Sequence, residues 1–208
     1  AEAISEGAAD PRGAAGVILS ESRRLERLVQ DLLELAKLES SSFSLKMRAT
    51  DGAEVVADTV EGFRPMVESA GLRLDVAVPE PGRLWVRADP DRLAQVLANL
   101  VENAFNFARS RIKVSAGSCD GTVTIAVEDD GPGIPAEDAP HVFERLYQSS
   151  RSPARQAGSG LGLAIVAELA AAMGAQVSAR SPLGPSGGTR MVLDLRAWDG
   201  GGRQLLAP

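Results

Sequence analysis

Apolar residues first recur in a clear rhythm at Ile18, Leu25, Leu28, Leu32 and Leu35, with Val29, Leu33 and Ala36 broadening the stripe. Arg23, Arg24, Glu26, Arg27, Glu34 and Lys37 fill the opposite side. Three- and four-residue steps are the period of an amphipathic helix, predicted here over residues 17–39. A stripe this long asks for partners along its whole extent, as in a coiled coil or four-helix bundle. Residues 1–16 are Ala- and Gly-rich and weakly patterned, with Asp10-Pro11-Arg12-Gly13 as a turn. Ser40-Ser41-Ser42 ends the helix as a linker, and a domain boundary is placed near residue 48.

Beyond it the pattern alternates between helical and strand periods. Asp51 is an N-cap for a helix over about 52–70, closed by Gly71. Leu72, Leu74, Val76 and Val78 alternate with polar residues up to Pro79, which predicts a strand; Leu84 to Ala88 is another. Asp89-Pro90-Asp91 opens a helix to about Ala108, with Asp89 capping and proline in the first turn. Residues 111–117 and 121–128 are strands across a turn at Cys119-Asp120-Gly121. A short helix near 137–146, a helix from about Gly160 to Met173, and strands near 175–181 and 188–196 complete the set. Residues 148–159 have the Ser-, Arg- and Gly-rich composition of a mobile loop, and the tail 199–208 is expected to be disordered. Helices and an antiparallel or mixed sheet in one layer each make a two-layer α/β sandwich.

Composition narrows the function classes. With 44% hydrophobic and 24% charged residues, the chain has the make-up of an ordinary soluble protein. A net charge of -6 argues against DNA or RNA as a partner, although a local basic cluster could still hold a nucleotide. The single cysteine, Cys119, cannot form an intrachain disulfide; it suits a reducing cytoplasm and is expected to be a buried, inert thiol. No apolar run has the length of a membrane span, and no signal peptide is visible. The opening Ala1-Glu2 reads like a chain cut from something larger.

Four segments carry candidate chemistry. In Gln95 to Ala108, Asn99 and Asn103 are four apart and project from one helix face, opposite Leu93, Val96, Leu97, Leu100 and Ala104. A carboxamide oxygen suits a hard cation such as Mg²⁺. Next, Asp129 and Asp130 end a strand before Gly131-Pro132-Gly133-Ile134-Pro135, where the glycines let the backbone approach a flat ligand. A strand-end carboxylate there can accept from the exocyclic amine of adenine. The third segment, Val142 to Tyr147, leads into a loop whose Arg151 and Arg155 could meet phosphates. The fourth, Gly158-Ser159-Gly160-Leu161-Gly162-Leu163, runs into an apolar helix, so backbone N–H groups and the positive helix end make an anion site. It is neither a Rossmann fingerprint, since a loop precedes it, nor a P-loop. Each segment alone is open to a plainer reading: solvent-facing asparagines, an Asp-Gly turn, solvated arginines, a glycine-rich loop.

Taken in order, Asn-x-x-x-Asn, Asp-x-Gly-x-Gly, a Phe-containing helix and Gly-x-Gly-x-Gly resemble the N, G1, F and G2 boxes of the bacterial sensor histidine kinases. These belong to the ATPase superfamily that also holds gyrase, Hsp90 and MutL. Ala88-Asp89-Pro90-Asp91-Arg92-Leu93 with Gln95 is similar to the family's approach to its N box. The resemblance implies a Bergerat-type ATP-binding fold over residues 48–198, with 1–47 as the remnant of a dimerisation and phosphotransfer hairpin. It implies ATP and Mg²⁺ as cofactors, with Asp129 on the adenine amine, Asn103 on Mg²⁺ and Asn99 supporting the triphosphate. Gly131 and Gly133 would make room for the base, with Phe143 in the F box. Gly158, Gly160, Leu161 and Gly162 would shape the lid and phosphate cradle, and Arg145 and Arg151 would lie near the γ-phosphate. Loop 147–159 would be a nucleotide-ordered lid. ATP-hydrolysing relatives carry a general-base Glu where this chain has Asn99, so a kinase is expected rather than a hydrolase.

There are two departures. Asn106 stands where the family often has Lys or Arg, with Lys113 or Arg109 as candidate replacements. The family's acceptor histidine is missing, for the only histidine, His141, lies in the F-box region. The resemblance thus implies a cytoplasmic phosphoryl-donor module, homodimeric through the hairpin in a parent expected to be membrane-anchored. It would act on a histidine outside this chain, for relay to a response regulator. An ATP-gated binding switch and an anti-sigma-type serine kinase are the alternatives.

Overall fold

The computed structural model describes residues 11–39, 43–147 and 160–198. A long helix, α1 (Pro11–Glu39), comes first. Strand β1 (Arg48–Asp51) and helix α2 (Gly52–Ser69) follow. Then come β2 (Arg73–Ala77), β3 (Trp85–Ala88) and α3 (Pro90–Phe107). The chain continues with β4 (Arg111–Cys119), β5 (Thr122–Asp129), a 3-10 turn at Ala139–His141, α4 (Gly162–Ala172), β6 (Gln176–Arg180) and β7 (Thr189–Arg196). The expected loop at 148–159 and tail at 199–208 lie outside the described residues, as does the Ser40–Ser42 linker.

The main sheet has five strands in the order β2-β4-β5-β7-β6. β2 runs parallel to β4, and the other neighbours are antiparallel. Strand parity sends Ile112, Val114, Val123, Ile125, Val127, Met191, Leu193 and Leu195 to one buried face. Leu93, Leu97 and Leu100 of α3 and Ile165 and Leu169 of α4 are among the fully buried side chains of the same core. Each contributes roughly 1.5–3 kcal/mol on burial. This is the expected sandwich, with a mixed sheet. β4 and β5 join through Asp120 and Gly121, whose φ of 49° and 75° are those of a two-residue hairpin turn. The tight turn leaves Cys119 exposed at a strand end, contrary to the buried thiol expected above.

A second small sheet, not foreseen in full, pairs β1 antiparallel to β3. The Thr50 hydroxyl donates to the Ala88 carbonyl at 3.0 Å, and the Asp51 carboxylate caps α2 by accepting from the Ala53 N–H at 3.0 Å. Asp89 caps α3 and also accepts from the Lys46 N–H at 2.8 Å, while Phe43, Leu45 and Met47 pack against the core. The segment 137–146 forms only the 3-10 turn. Pro140 has no N–H to offer a helix, and the Pro135 carbonyl instead accepts from Asp138 and Ala139.

The apolar stripe of α1 divides into two faces. Leu35 is buried in the core, with Leu28 and Leu38 packed beside it. Ile18, Leu25, Val29 and Leu32 stay about half exposed on the other side. Arg27 reaches Glu102 of α3 at 3.2 Å, and Glu34 receives Arg92 of α3 at 2.9 Å. The Arg92 guanidinium also lies 5.7 Å from the Phe43 ring centroid.

Candidate functional site

The last residue of β5, Asp129, pairs in register with Ile112 and Thr189 and so points to the helix-covered face. It is only 6% exposed. Its Oδ1 accepts from the Gly131 N–H at 2.8 Å. Burial pushes its carboxyl up to about 6, with the charge of Asp130 adding to the rise and the N–H groups of Gly131 and Thr189 opposing it. Asp130, one residue on, is spent on main chain. Its Oδ1 accepts from the N–H groups of Arg109, Ser110 and Arg111 at 2.9, 3.0 and 3.1 Å, and its Oδ2 from the Ser110 hydroxyl at 2.6 Å. Burial alone would raise its carboxyl, but these hydrogen bonds outweigh it and hold the group far below the usual range. Of the two carboxylates, Asp129 is the more buried and Asp130 the more fully hydrogen-bonded.

Gly131 has no room for a side chain. A Cβ there would lie 2.6 Å from both Asp129 Oδ1 and the Phe107 carbonyl oxygen. Phe107 ends α3, so the exit of α3 abuts the glycine turn. At the other end of the same helix face, a Cβ on Gly162 would lie 3.9 Å from Asn99 Oδ1. Asn99, Asn103 and Phe107 follow four-residue steps, about 6 Å each along the axis. Asn103 thus stands midway along a face that runs from the start of α4 to the Asp129 turn. Asn99 Nδ2 is buried and has no hydrogen-bond partner among the described residues. A buried donor without a partner is costly, and a ligand acceptor at that point would relieve it.

α4 begins at Gly162 with Leu161 at its N-cap, a residue with no side-chain group to cap the helix, and Leu161 is itself buried. Gly160 has φ of 75°, a left-handed conformation that favours glycine. The positive end of α4 therefore opens beside Asn99. Gly133 also adopts positive φ, and its position leaves 2.9 Å between a Cβ and Ser181 Oγ. Phe143 is partly buried against the core. Arg145 pairs with Glu168 of α4 at 2.9 Å. Arg151 and Gly158 lie outside the described residues.

Two neighbours named in the sequence sit apart from this face. Lys113 lies between the buried Ile112 and Val114, which puts it on the outer face of the sheet. Arg109 donates to the Ser186 carbonyl at 2.9 Å. Neither replaces a basic residue at Asn106. Glu102 is held by Arg27, one residue round the helix from Asn103. His141 lies 2.7 Å from Glu144 through Nδ1, with its ring 5.9 Å from that of Tyr147. Tyr147 donates to Asp138, and its hydroxyl is pushed up to about 12 chiefly by that hydrogen bond.

Sequence reading missed the turn before β7. The Gly188 N–H donates to the Gly131 carbonyl at 2.8 Å, and a Cβ on Gly187 would strike the Gly131 and Pro132 carbonyls at 2.6 Å. Thr189, 5% exposed, lies opposite Asp129. The signal was present as Gly187-Gly188-Thr189, two glycines entering a buried strand.

Residues 88–198, which hold all these groups, match the family described as histidine kinase-, DNA gyrase B- and HSP90-like ATPase. The chain belongs to this family. Its similar relatives in this ATPase family are sensor kinases. The signal transduction histidine-protein kinase AfsQ2 of Streptomyces coelicolor is 35% identical over 86% of this chain and 32% of its own length. The sensor histidine kinase YkoH of Bacillus subtilis is 32% identical over 89% of this chain and 40% of its own. The chain thus spans about a third to two fifths of these relatives. Among solved structures, full-length ShkA in complex with AMPPNP superposes with a TM-score of 0.73 at 28% identity, covering 91% of this chain and 39% of that one. The mycobacterial sensor histidine kinase MprB gives 0.63 at 28% identity, covering 73% of this chain and 97% of that one. The α/β fold of this ATPase family is therefore the fold of this chain.

Proposed function

We propose that the chain is the ATP–Mg²⁺-binding, phosphoryl-donating module of a two-component sensor histidine kinase. The observation that carries the reading is the buried Asp129 carboxylate above the side-chain-free floor of Gly131. An acceptor held there suits the exocyclic amine of adenine, and the missing Cβ lets the turn close against the carboxylate and the α3 exit. A triphosphate suits this place as well, since Asn99 Nδ2 lacks a partner among the described residues and the α4 end beside it favours anions. Among the described residues no cluster of three or more His, Cys, Asp or Glu could hold a metal. A cation in this cleft would accordingly take Asn103 as its protein ligand and complete its shell with phosphate oxygens and water. Mg²⁺ bound with the nucleotide would supply charge neutralisation for in-line transfer.

The rest falls to positioning by the chain's own groups. Asn99 occupies the general-base place and cannot take a proton, and Glu102 is turned to Arg27. With no base aimed at water, the γ-phosphoryl group is kept for a protein acceptor. In this reading Arg145 leaves Glu168 for the phosphates; Arg151 and Gly158, proposed for the same phosphates, lie outside the described residues. The long α1, with its exposed Ile18, Leu25, Val29 and Leu32, favours a sensor kinase that dimerises through a helical hairpin over an ATP-gated switch or an anti-sigma-type kinase. A response regulator would receive the phosphoryl group.

Calorimetric titration with ATP–Mg²⁺ tests the site. Asp129→Asn removes a charged hydrogen-bond acceptor and should weaken binding about 10- to 100-fold, as expected for a hydrogen bond to a charged group. Unchanged affinity in that variant would place the nucleotide elsewhere and end the proposal.

A further inference from the structure

The Gly131–Ile134 turn is gripped on both flanks by groups that face away from the cleft. On one flank, three successive backbone N–H groups, from Arg109, Ser110 and Arg111, converge on Asp130 Oδ1, and the Ser110 hydroxyl takes Oδ2. This fastens the exit of α3 to the end of β5. On the other flank, the Ser181 hydroxyl accepts from the Ile134 N–H at 2.7 Å and donates to the Gly188 carbonyl at 2.9 Å. Gly188 in turn donates to Gly131. The two flanks meet through one side chain: the Arg109 guanidinium spans from the α3 exit to the Ser186 carbonyl in the β6–β7 turn. A closed frame results, running from Asp130 through Arg109, Ser186 and Gly188 to Gly131 and back to Asp130.

We propose that Asp130 and Arg109 are positioning residues whose frame fixes the width of the base pocket against Asp129, and with it the preference for adenine over guanine. The inference rests on the reading that Asp129 meets the base. Adenine presents an amine donor where guanine presents a carbonyl acceptor, so a carboxylate at fixed distance attracts one ring and repels the other. The discrimination holds only while Gly131 and Asp129 cannot shift, because a displacement on the order of 1 Å is enough to lose such an arrangement. A Cβ on Gly131 would lie 2.6 Å from both Asp129 Oδ1 and the Phe107 carbonyl oxygen, so the turn sits close against the β5 end and the α3 exit. Arg109 acts on the ligand only through this frame, whereas Asp130 also adds its charge beside Asp129, so Arg109→Gln is the cleaner probe.

The experiment measures the affinities of the 208-residue chain for ATP–Mg²⁺ and GTP–Mg²⁺ by calorimetry, on protein shown to be folded by circular dichroism. Arg109→Gln, Arg109→Lys, Asp130→Asn and Asp129→Asn are compared with wild type. Arg109→Gln and Asp130→Asn should each cut the ATP-to-GTP preference by about tenfold, and Arg109→Lys, which can still donate to Ser186, should keep most of it. A merely structural role would lower both affinities by the same factor and leave their ratio alone; that result overturns the proposal. So does an unchanged ratio in Arg109→Gln, which decides the matter if Asp130→Asn fails to fold. If Asp129→Asn binds ATP as tightly as wild type, the base contact itself is refuted and the frame goes with it. If Asp129→Asn loses ATP while the frame variants keep their preference, only the frame is refuted.

Discussion

Asp129 and Asp130 are joined by one peptide bond yet live in opposite electrostatic surroundings. The buried carboxyl of Asp129 rises to about 6, so between about pH 4 and 6 the native state holds a proton that the unfolded chain has released. Stability from this group therefore falls as pH rises through that window, and the ionised form costs the fold on the order of 3 kcal/mol at neutral pH. Asp129→Asn should raise the unfolding free energy at pH 7.5 by up to about that amount, with the gain fading toward pH 4, as read by urea unfolding. The same titration should weaken ATP binding in the wild type as pH drops through about 6. Gly131→Ala should cost stability by about 1–3 kcal/mol, typical of overpacking, and abolish binding together, because its methyl collides with Asp129 and with the α3 exit. Asp-x-Gly-x-Gly was legible as a pocket. The division of labour between the two aspartates was not, since it depends on which backbone N–H groups a distant helix end brings to Asp130.

Helix α1 shows what periodicity hides. Steps of three and four were visible, but a single broad stripe cannot reveal that Leu28, Leu35 and Leu38 face the α/β core while Ile18, Leu25, Val29 and Leu32 face outward. The distinction follows from where α3 and α4 lie. Leu35→Ala should cost about 2–5 kcal/mol of unfolding free energy, whereas Leu25→Ala should stay within about 0.5 kcal/mol in dilute solution. Concentration-dependent sedimentation should register Leu25→Glu with Leu32→Glu as a loss of self-association if the outward stripe is a dimer seam. Arg27 with Glu102 is a partly exposed ion pair, so a double-mutant cycle should give no more than about 1 kcal/mol. The missed elements have plain causes. β1 is only four residues long, and Pro140 undoes the helix expected around it.

Across the molecule, Asn99, Asp129 and Gly162, far apart in sequence, come to one side because α3, the end of β5 and the start of α4 share the inner face of the sheet. Their order in the chain made the family readable, while their meeting point and the hairpin of Gly187 and Gly188 belong to strand order. The single histidine pairs with Glu144 and is absent from α1. Radiolabelled ATP should therefore leave this chain without acid-labile label, and label on it would require a different acceptor. Strand order has a further effect. β7, the last of the described strands in chain order, is the inner neighbour of both β5 and β6, and its far end is tied to β3 through the Trp198 N–H on the Trp85 carbonyl at 2.8 Å. During translation, then, β5 keeps an unsatisfied edge and the turn at Gly131 lacks its Gly188 partner until residues 187–196 have emerged, so nucleotide can act as a checkpoint only after β7 has paired.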